Sequence, residues 1–149
     1  MYFIDRSKIT ETIAYMNSLL ALYETKKSWN SLEDQLARER LTQNVIESII
    51  DVGNSMIDGF IMRDPGSYDD IIDILTDERV ISPEMDAPLK QVIGLRKSLV
   101  RDFMKMEHQN IILVLDGTLS ELKSFGPRVE HYLVHELRPV SAFIPEKKK

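Results

Sequence analysis

The segment RDPGSYDDIIDILTDERVIS, residues 63–82, holds the clearest turn of the chain and a short helix directly after it. Pro65 disfavours helical dihedrals at the residue before it, and Gly66 permits dihedrals that other residues avoid. Asp69 and Asp70 stand where a helix begins, near its positive end. The apolar spacing beyond the turn predicts a third helix. Its predicted buried residues are Tyr68, Ile71, Ile72 and Leu75.

Two helices are predicted before this segment. Apolar residues at steps of three and four predict the first helix from about residue 6 to 27. Ser31 as N-cap, with Asp34 in the first turn, predicts the start of a second helix of some thirty residues. Its apolar stripe comprises Leu32, Leu36, Leu41, Val45, Ile49, Val52, Met56 and Phe60. Gly53 and Gly59 interrupt the stripe and suggest a close helix approach or a slight bend.

Two or three helices are predicted after the segment. Ser82 as N-cap and Pro83 at the first helical position begin a fourth helix, predicted through about Met106. A fifth begins near Asn110, and Gly126-Pro127 should split or kink it before an end near Leu137, where Pro139 forbids continuation. The chain is therefore predicted to be all-α, a bundle of five to six helices. We expect a single domain, 1–149, and predict a disordered tail at 146–149.

The composition limits what this domain can do. With 149 residues, 43% of them apolar, the chain can bury a sizeable core. The 24 acidic and 19 basic residues give a net charge of -5, so any RNA binding must come from a local patch, and DNA binding is not expected. The absence of cysteine excludes disulfides and thiolate chemistry, and fits a reducing compartment. No apolar run approaches the roughly 20 residues of a membrane span, so we expect a cytoplasmic protein.

The predicted fourth helix carries a basic stripe of Lys97, Arg101 and Lys105 at positions i, i+4 and i+8. Its predicted buried stripe comprises Val92, Leu95, Leu99 and Phe103. Arg96 lies at the border between the two stripes. Two interpretations are open: a solvated face whose arginine stem covers apolar surface, or a site where two guanidiniums bind a phosphodiester.

Polar residues also interrupt the apolar stripe of the second helix. Glu47, Asp51 and Asn54 follow one another at i, i+4 and i+7. They could pair with Arg96, either as a structural network or as the wall of a cleft, because buried charge is commonly paired. We favour the structural network and keep Asp51 and Asn54 as candidates for the surroundings of Arg96.

Two further clusters have the spacing of metal ligands. His131 and His135 lie one helical turn apart, but no third ligand is evident, and histidines near a helix C-terminus are favoured by the helix dipole. Asp69, Asp73 and Asp77 share a face, which we interpret as solvated because no cation-binding loop accompanies it. We therefore predict neither a metal nor a cofactor.

Residues 63–82 together with LKQVIGLRKSLVRDF, residues 89–103, resemble the HepT-like branch of the HEPN superfamily. Members of that branch carry Pro-x-x-Tyr, a short helix, a Val-Ile or Ile-Ile turn and an RN-x-LVH-x-Y core. The matching residues are Pro65, Tyr68, Leu75, Val80, Ile81, Leu95, Arg96, Leu99 and Val100. The resemblance implies an α-helical homodimer in which two copies of the motif helix meet at a shared cleft.

In active relatives the motif arginine and histidine are thought to cut RNA without a metal, and a minimal nucleotidyltransferase antitoxin adds AMP to the motif tyrosine. Attack of a ribose 2′-hydroxyl on its adjacent phosphate needs a proton acceptor and donor with a pKa near neutrality, which histidine supplies. It also needs a fixed cation against the charge of the phosphorane, which arginine supplies. The residue types of the motif therefore suit the chemistry.

This chain departs from the motif at two positions. Arg101 stands at the histidine position and Phe103 at the tyrosine position. Arginine cannot act as a general base near pH 7, and phenylalanine has no hydroxyl to accept a nucleotide. We expect a relative of the RNase toxins with impaired catalysis, in which Arg96 and Arg101 contact phosphate and Lys97, Lys105 and Phe103 contribute to binding. The alternative is a non-catalytic homodimeric module for RNA, a nucleotide or a protein.

No other histidine is an obvious replacement for the missing one. His108 lies twelve residues beyond Arg96, about 18 Å away along a continuous helix, so the two should not meet within one protomer. The expected partners are a second copy of the chain and, as the resemblance implies, a nucleotidyltransferase antitoxin and RNA.

Overall fold

The computed structural model describes residues 4–141, with side chains as far as residue 136. Six α-helices and one 3₁₀ turn occur in that range, and no strand does. The helices are α1 (Arg6–Thr25), α2 (Leu32–Gly59), α3 (Tyr68–Asp77), α4 (Pro83–Ile93), α5 (Arg96–Val100) and α6 (His108–Ser141), and the 3₁₀ turn is Phe103–Lys105. The all-α prediction is confirmed. None of the described helices is long and apolar enough to cross a membrane.

Three long helices form the centre of the molecule. Helix α1 packs against both α2 and α6, and the last two also touch each other. Their buried side chains, including Met16, Ile49 and Phe125, share one hydrophobic core. The short helices lie around this centre: α3 packs on α2, α4 joins α3 to α6, and α5 packs on α2. The contact between α5 and α2 is the one that positions Arg96.

The predicted starts of α2 and α4 are confirmed, and each follows the predicted N-cap residue. The Ser31 hydroxyl accepts a hydrogen bond from the Asp34 N–H at 3.0 Å, and the Asp34 carboxylate accepts one from the Ser31 N–H, which completes a capping box. Ser82 precedes α4 with Pro83 at its first position. Local side chains satisfy the backbone groups at the start of α2, whereas Ser82 makes no side-chain capping bond and Pro83, which has no N–H to satisfy, marks the start of α4.

The predicted fourth helix, Ser82 to about Met106, is wrong, because α4, α5 and the 3₁₀ turn occupy this stretch. The Leu95 N–H bonds to the carbonyl of Val92, only three residues back, at 3.0 Å, so the helix tightens between α4 and α5. Gly94, a poor helix former, lies at the break. Met106 then takes an extended conformation with ψ 131° before α6 begins.

The last helix also differs from its prediction. Gly126-Pro127 does not split it, and it continues to Ser141, past the end predicted near Leu137. A proline removes one backbone hydrogen bond, and the packing of α6 on α1 and α4 offsets that single loss. The predicted tail at 146–149 lies outside the described residues.

Four side chains predicted to be buried are exposed. Their exposed fractions are 44% for Tyr68, 67% for Leu32, 54% for Leu36 and 58% for Phe103. Each lies in the first turns of a helix or beyond a helix end. An apolar stripe is buried only as far as a neighbouring helix covers it, so the pattern overestimated burial at these ends.

Candidate functional site

Arg96 is the first residue of α5 and is held by two side chains from other elements. Its Nε donates a hydrogen bond to Glu47 Oε2 of α2 at 2.7 Å. Its guanidinium carbon lies 4.7 Å from the centre of the Tyr68 ring at the start of α3, within range of a cation–π contact. The hydrogen bond that Arg96 donates to Glu47 raises the pKa of Arg96 above its usual value. Arg96 is thus a fixed cation whose side chain is 29% exposed.

The backbone of α5 owes its position to two leucines. Leu95 and Leu99 are only 6% and 7% exposed, and both belong to the core cluster. They anchor this five-residue helix, which is too short to be stable by itself. Because α5 is anchored on its inner face, Arg96 is presented at the edge of the core rather than free in solvent.

The three polar residues of α2 do not converge on Arg96. Glu47 makes the predicted link between α2 and Arg96. Asp51 is exposed and its carboxylate lies 4.0 Å from the Lys8 ammonium of α1. Asn54 is exposed as well. The structural network therefore consists of Glu47, Arg96 and Tyr68, and the other two candidates lie elsewhere on the helix.

The basic stripe is interrupted by the break after α5. Lys97 lies on α5 and Arg101 caps its C-terminal end, where its N–H bonds to the Lys97 carbonyl at 2.8 Å. Lys105 follows the break, in the 3₁₀ turn, so the prediction of one continuous helical face is wrong. All three side chains are exposed, and none forms an ion pair within the described part of the chain.

An apolar surface, here called the α5 patch, accompanies these cations. It consists of Val100, Phe103 and Met104, with exposed fractions of 39%, 58% and 85%. Exposed apolar residues that lie together commonly mark an interaction surface. The α5 patch begins four residues after Arg96, so charged and apolar side chains are exposed in the same short segment.

His108 does not join Arg96 within one protomer. Its Nε2 lies 3.3 Å from Glu39 Oε2 of α2, and its Nδ1 is buried without a hydrogen-bond partner among the described residues. Glu39 precedes Glu47, the partner of Arg96, by eight residues, about 12 Å along the helix axis. The prediction assumed one continuous helix from Arg96 to His108, which the structure does not contain. Arg96 and His108 nevertheless contact α2 at different points along its axis.

The remaining predicted clusters are engaged in local contacts. The His131 and His135 rings lie 3.9 Å apart, and His135 Nδ1 is 2.9 Å from the His131 carbonyl oxygen. Asp73 pairs with Lys90, and Asp77 lies 3.8 Å from Arg63. Within the residues whose side chains are described, no group of three acidic or histidine side chains is placed to hold a metal ion.

The part played by Tyr68 was missed because the spacing assigned its ring to the core. As the first residue of α3, it lies over Arg96 instead. Tyr68 also belongs to the Pro-x-x-Tyr element of the family resemblance. That match does not depend on the apolar spacing, so it could have indicated a role for Tyr68 outside the core.

Comparison with known proteins gives three related findings. A family model described as Ribonuclease HepT-like matches residues 9–129. The Putative RNase YutE of Bacillus subtilis (strain 168) is 45% identical over 143 residues, covering 96% of this chain and 99% of that protein. The solved structure of YutE, described as a cytosolic protein of unknown function, matches with a TM-score of 0.91 over 96% of this chain and 100% of that chain.

A more distant solved structure shares the fold. It is the tri-AMPylated HEPN toxin of Shewanella oneidensis in complex with an MNT antitoxin. The TM-score is 0.72 at 20% identity, over 83% of this chain and 96% of that chain. At this identity the match shows a common helical architecture.

Proposed function

Because this chain belongs to the ribonuclease HepT-like family of the HEPN superfamily, we propose that it is a homodimeric RNA-binding relative of the HEPN toxins with impaired cleavage. The observation that carries the proposal is the anchoring of Arg96 by Glu47 and Tyr68. A guanidinium held in this way presents fixed donors to a phosphate at little cost in side-chain entropy. The match to the family extends over most of the chain, which supports applying the family's chemistry to this position.

Local charge supports phosphate binding despite the net charge of -5. Glu47 offsets part of the charge of Arg96, whereas Lys97 and Arg101 add two exposed cations beside it. Phosphate contacts of this kind depend on the salt concentration, because each one releases condensed counterions. Phosphate binding at the α5 region should therefore weaken as salt is added.

Impaired cleavage follows from the side chain at position 101. Transesterification needs a group that accepts the proton of the 2′-hydroxyl, and a guanidinium does not do so near pH 7. His108 contacts Glu39 instead, at a different point along α2. The arrangement thus retains a cation that can stabilise a phosphorane, but the motif histidine is missing and the carboxylate beside that cation, Glu47, is held in an ion pair with it.

We also propose a nucleotidyltransferase as a second partner, on the precedent of the complex formed by the Shewanella toxin. Phe103 has no hydroxyl, so AMP cannot be attached at this position. Any such partner would bind through surface contacts without a nucleotide attached at position 103.

An active ribonuclease is the second candidate, favoured by the name of the Bacillus relative, Putative RNase, at 45% identity. The two candidates differ in whether labelled RNA is cleaved in the presence of a chelator. We would compare the natural protein with Arg96→Ala and Arg101→His. Arg40→Ala, an exposed arginine of α2, serves as the charge-matched control.

Our proposal expects RNA binding without cleavage by the natural protein. Arg96→Ala should weaken RNA binding about tenfold. It should also reduce the slope of log affinity against log salt concentration by about the amount that one phosphate contact contributes. Arg40→Ala should change neither quantity. Arg101→His should introduce cleavage. Unchanged binding by Arg96→Ala would overturn the assignment of the site, and cleavage by the natural protein that Arg96→Ala abolishes would establish the second candidate.

A further inference from the structure

A second cleft lies at the other end of α2, where α1, the loop after it and α6 meet. Its volume is about 560 Å³, and its lining includes Tyr23, Lys26, Lys27, Trp29, Arg38 and Asp116. Small-molecule sites commonly measure about 300–1,000 Å³. Arg38 precedes Glu47 by nine residues, about 14 Å along the axis of α2, so this cleft is separate from the Arg96 site.

Arg38 is a buried cation without a counter-ion. The residue is 4% exposed, and its Nε forms no hydrogen bond to any described residue. Its guanidinium carbon lies 5.8 Å from the centre of the Trp29 ring, and its charge also acts on the hydroxyl of Tyr23. Burying a charge with neither an ion pair nor full hydrogen bonding is costly. A cleft lined by such a group is suited to an anion that would supply the missing partner.

The acidic residues around the cleft do not fill that role. The Asp116 carboxylate accepts a hydrogen bond from the Tyr23 hydroxyl at 2.7 Å. Glu24 is paired with Lys123 at 3.1 Å. Neither carboxylate forms an ion pair with Arg38 among the described residues, so no direct contact neutralises its guanidinium.

Two lysines add positive charge at the rim. The Lys26 ammonium is 3.0 Å from Asp34 and 5.3 Å from the centre of the Trp29 ring. Lys27 is exposed and forms no ion pair within the part of the chain that the structure describes. The cations that line the cleft therefore outnumber the acids, although the whole molecule is acidic.

Trp29 supplies a planar surface in the same cleft. The side chain is partly exposed, and its ring centre lies 5.8 Å from that of Tyr23, with the planes at 34°. Aromatic rings next to arginine recur in sites for single-stranded nucleotides, because the ring stacks on a base while the guanidinium binds phosphate. The cleft combines these two features within one small-molecule volume.

We propose that the Trp29–Arg38 cleft binds a nucleotide, with its phosphate on Arg38 and its base against Trp29. A free mononucleotide and one nucleotide of an RNA strand share this chemistry. The site goes beyond the proposed function, since it uses none of the residues around Arg96. A failure of one proposal therefore leaves the other intact.

The test uses the fluorescence of Trp29, the single tryptophan of the chain. Inorganic phosphate, AMP and a short single-stranded RNA are titrated separately into the whole protein, and calorimetry supplies an independent affinity. We expect AMP to change the emission with a submillimolar Kd, and phosphate to compete with it. A response to RNA with none to AMP would assign the cleft to an RNA strand. No response to any of the three up to about 10 mM phosphate or AMP would overturn the proposal.

Arg38→Met keeps much of the side-chain volume and removes the charge. It should weaken AMP or RNA binding in the fluorescence titration at least tenfold, while its thermal midpoint stays equal or rises, because the unpaired buried charge is gone. Arg38→Lys should retain part of the affinity, and the exposed Arg40→Met should retain all of it. Equal binding by Arg38→Met and the natural protein would overturn the proposal. So would a lower thermal midpoint of Arg38→Met together with the same loss of affinity in Arg38→Lys, because the loss would then follow from the structure of the cleft and not from the charge.

Discussion

At the scale of single residues, Asp70 fixes the turn that brings Tyr68 over Arg96. Arg63 donates two hydrogen bonds to its carboxylate, at 2.8 and 2.9 Å, and the Gly66 N–H donates another at 2.8 Å. The Asp70 N–H in turn bonds to the Ser67 hydroxyl at 3.0 Å. The hydrogen bonds from Arg63 and, to a smaller extent, that from the Gly66 N–H lower the pKa of Asp70 to about 2. One aspartate thereby ties the turn to the first turn of α3.

The pH dependence of stability should reveal this role. A pKa that is lower in the folded than in the unfolded state means that the ionised group favours folding. The contribution of Asp70 is therefore complete above about pH 4 and is lost as the pH falls towards about 2. We expect Asp70→Asn to lower the free energy of unfolding at pH 7, with a difference that narrows below pH 4.

Urea unfolding at several pH values would measure this difference. Asp64→Asn provides a matched control, because Asp64 is an exposed aspartate of the same turn. It should leave stability nearly unchanged throughout. A destabilisation by Asp70→Asn that stays constant from pH 7 to pH 2 would show that the substitution acts through something other than the charge of Asp70.

At the scale of helices, two glycines set how closely the elements pack. A Cβ at Gly53 of α2 would lie 2.5 Å from Ile71 Cγ2 of α3, and one at Gly126 of α6 would lie 2.6 Å from Ile13 Cγ2 of α1. Real side chains do not approach so closely, so both contacts require glycine. The close approach predicted at Gly53 is confirmed. It brings α3, and with it Tyr68, within reach of the Arg96 site.

Gly53→Ala should destabilise the protein by about 1–2 kcal/mol in net terms. The added methyl group overpacks a buried contact, which outweighs the gain of roughly 1 kcal/mol in helix propensity. Gly117→Ala is the control, since a Cβ there meets nothing within 4 Å. That change should stabilise α6 by up to about 1 kcal/mol. Chemical unfolding of both variants measures the two signs, and a Gly53→Ala protein as stable as the natural one would refute the close contact.

At the scale of the whole molecule, the α5 patch is the surface on which the proposed homodimer depends. Phe103 and Met104 are 58% and 85% exposed in the single chain, beside the cations of α5. An interface at this position would bring two copies of Arg96 towards each other and would cover the apolar side chains. Phosphate binding and association would then use the same region.

Replacing Phe103 and Met104 together by serine should shift the protein from dimer to monomer, because the buried apolar area of the interface is lost. Sedimentation velocity at micromolar concentration measures the change. Leu32→Ser, at the exposed start of α2, is the control and should leave the dimer intact. A natural protein that sediments as a monomer would count against the proposed dimer and would leave the α5 patch for a different partner.

The local sequence was sufficient for most of the secondary structure. Ser31 and Asp34 predicted the start of α2, and Pro65 and Gly66 predicted the turn before α3. The spacing of apolar residues predicted the long helices. Family membership could also be inferred, from the residues around that turn and around Arg96. These features depend on residues a few positions apart in the sequence, so they can be predicted from the sequence alone.

The arrangement of the site depended on contacts between distant residues. Glu47, rather than Asp51, pairs with Arg96 because of how α5 lies against α2. Tyr68 and Phe103 lie outside the core because no helix covers the positions where α3 begins and α5 ends. Periodicity records which residues are apolar, whereas burial and ion pairing depend on what packs against them. The sequence thus determined the helices and the family, and the tertiary structure decided which side chains meet.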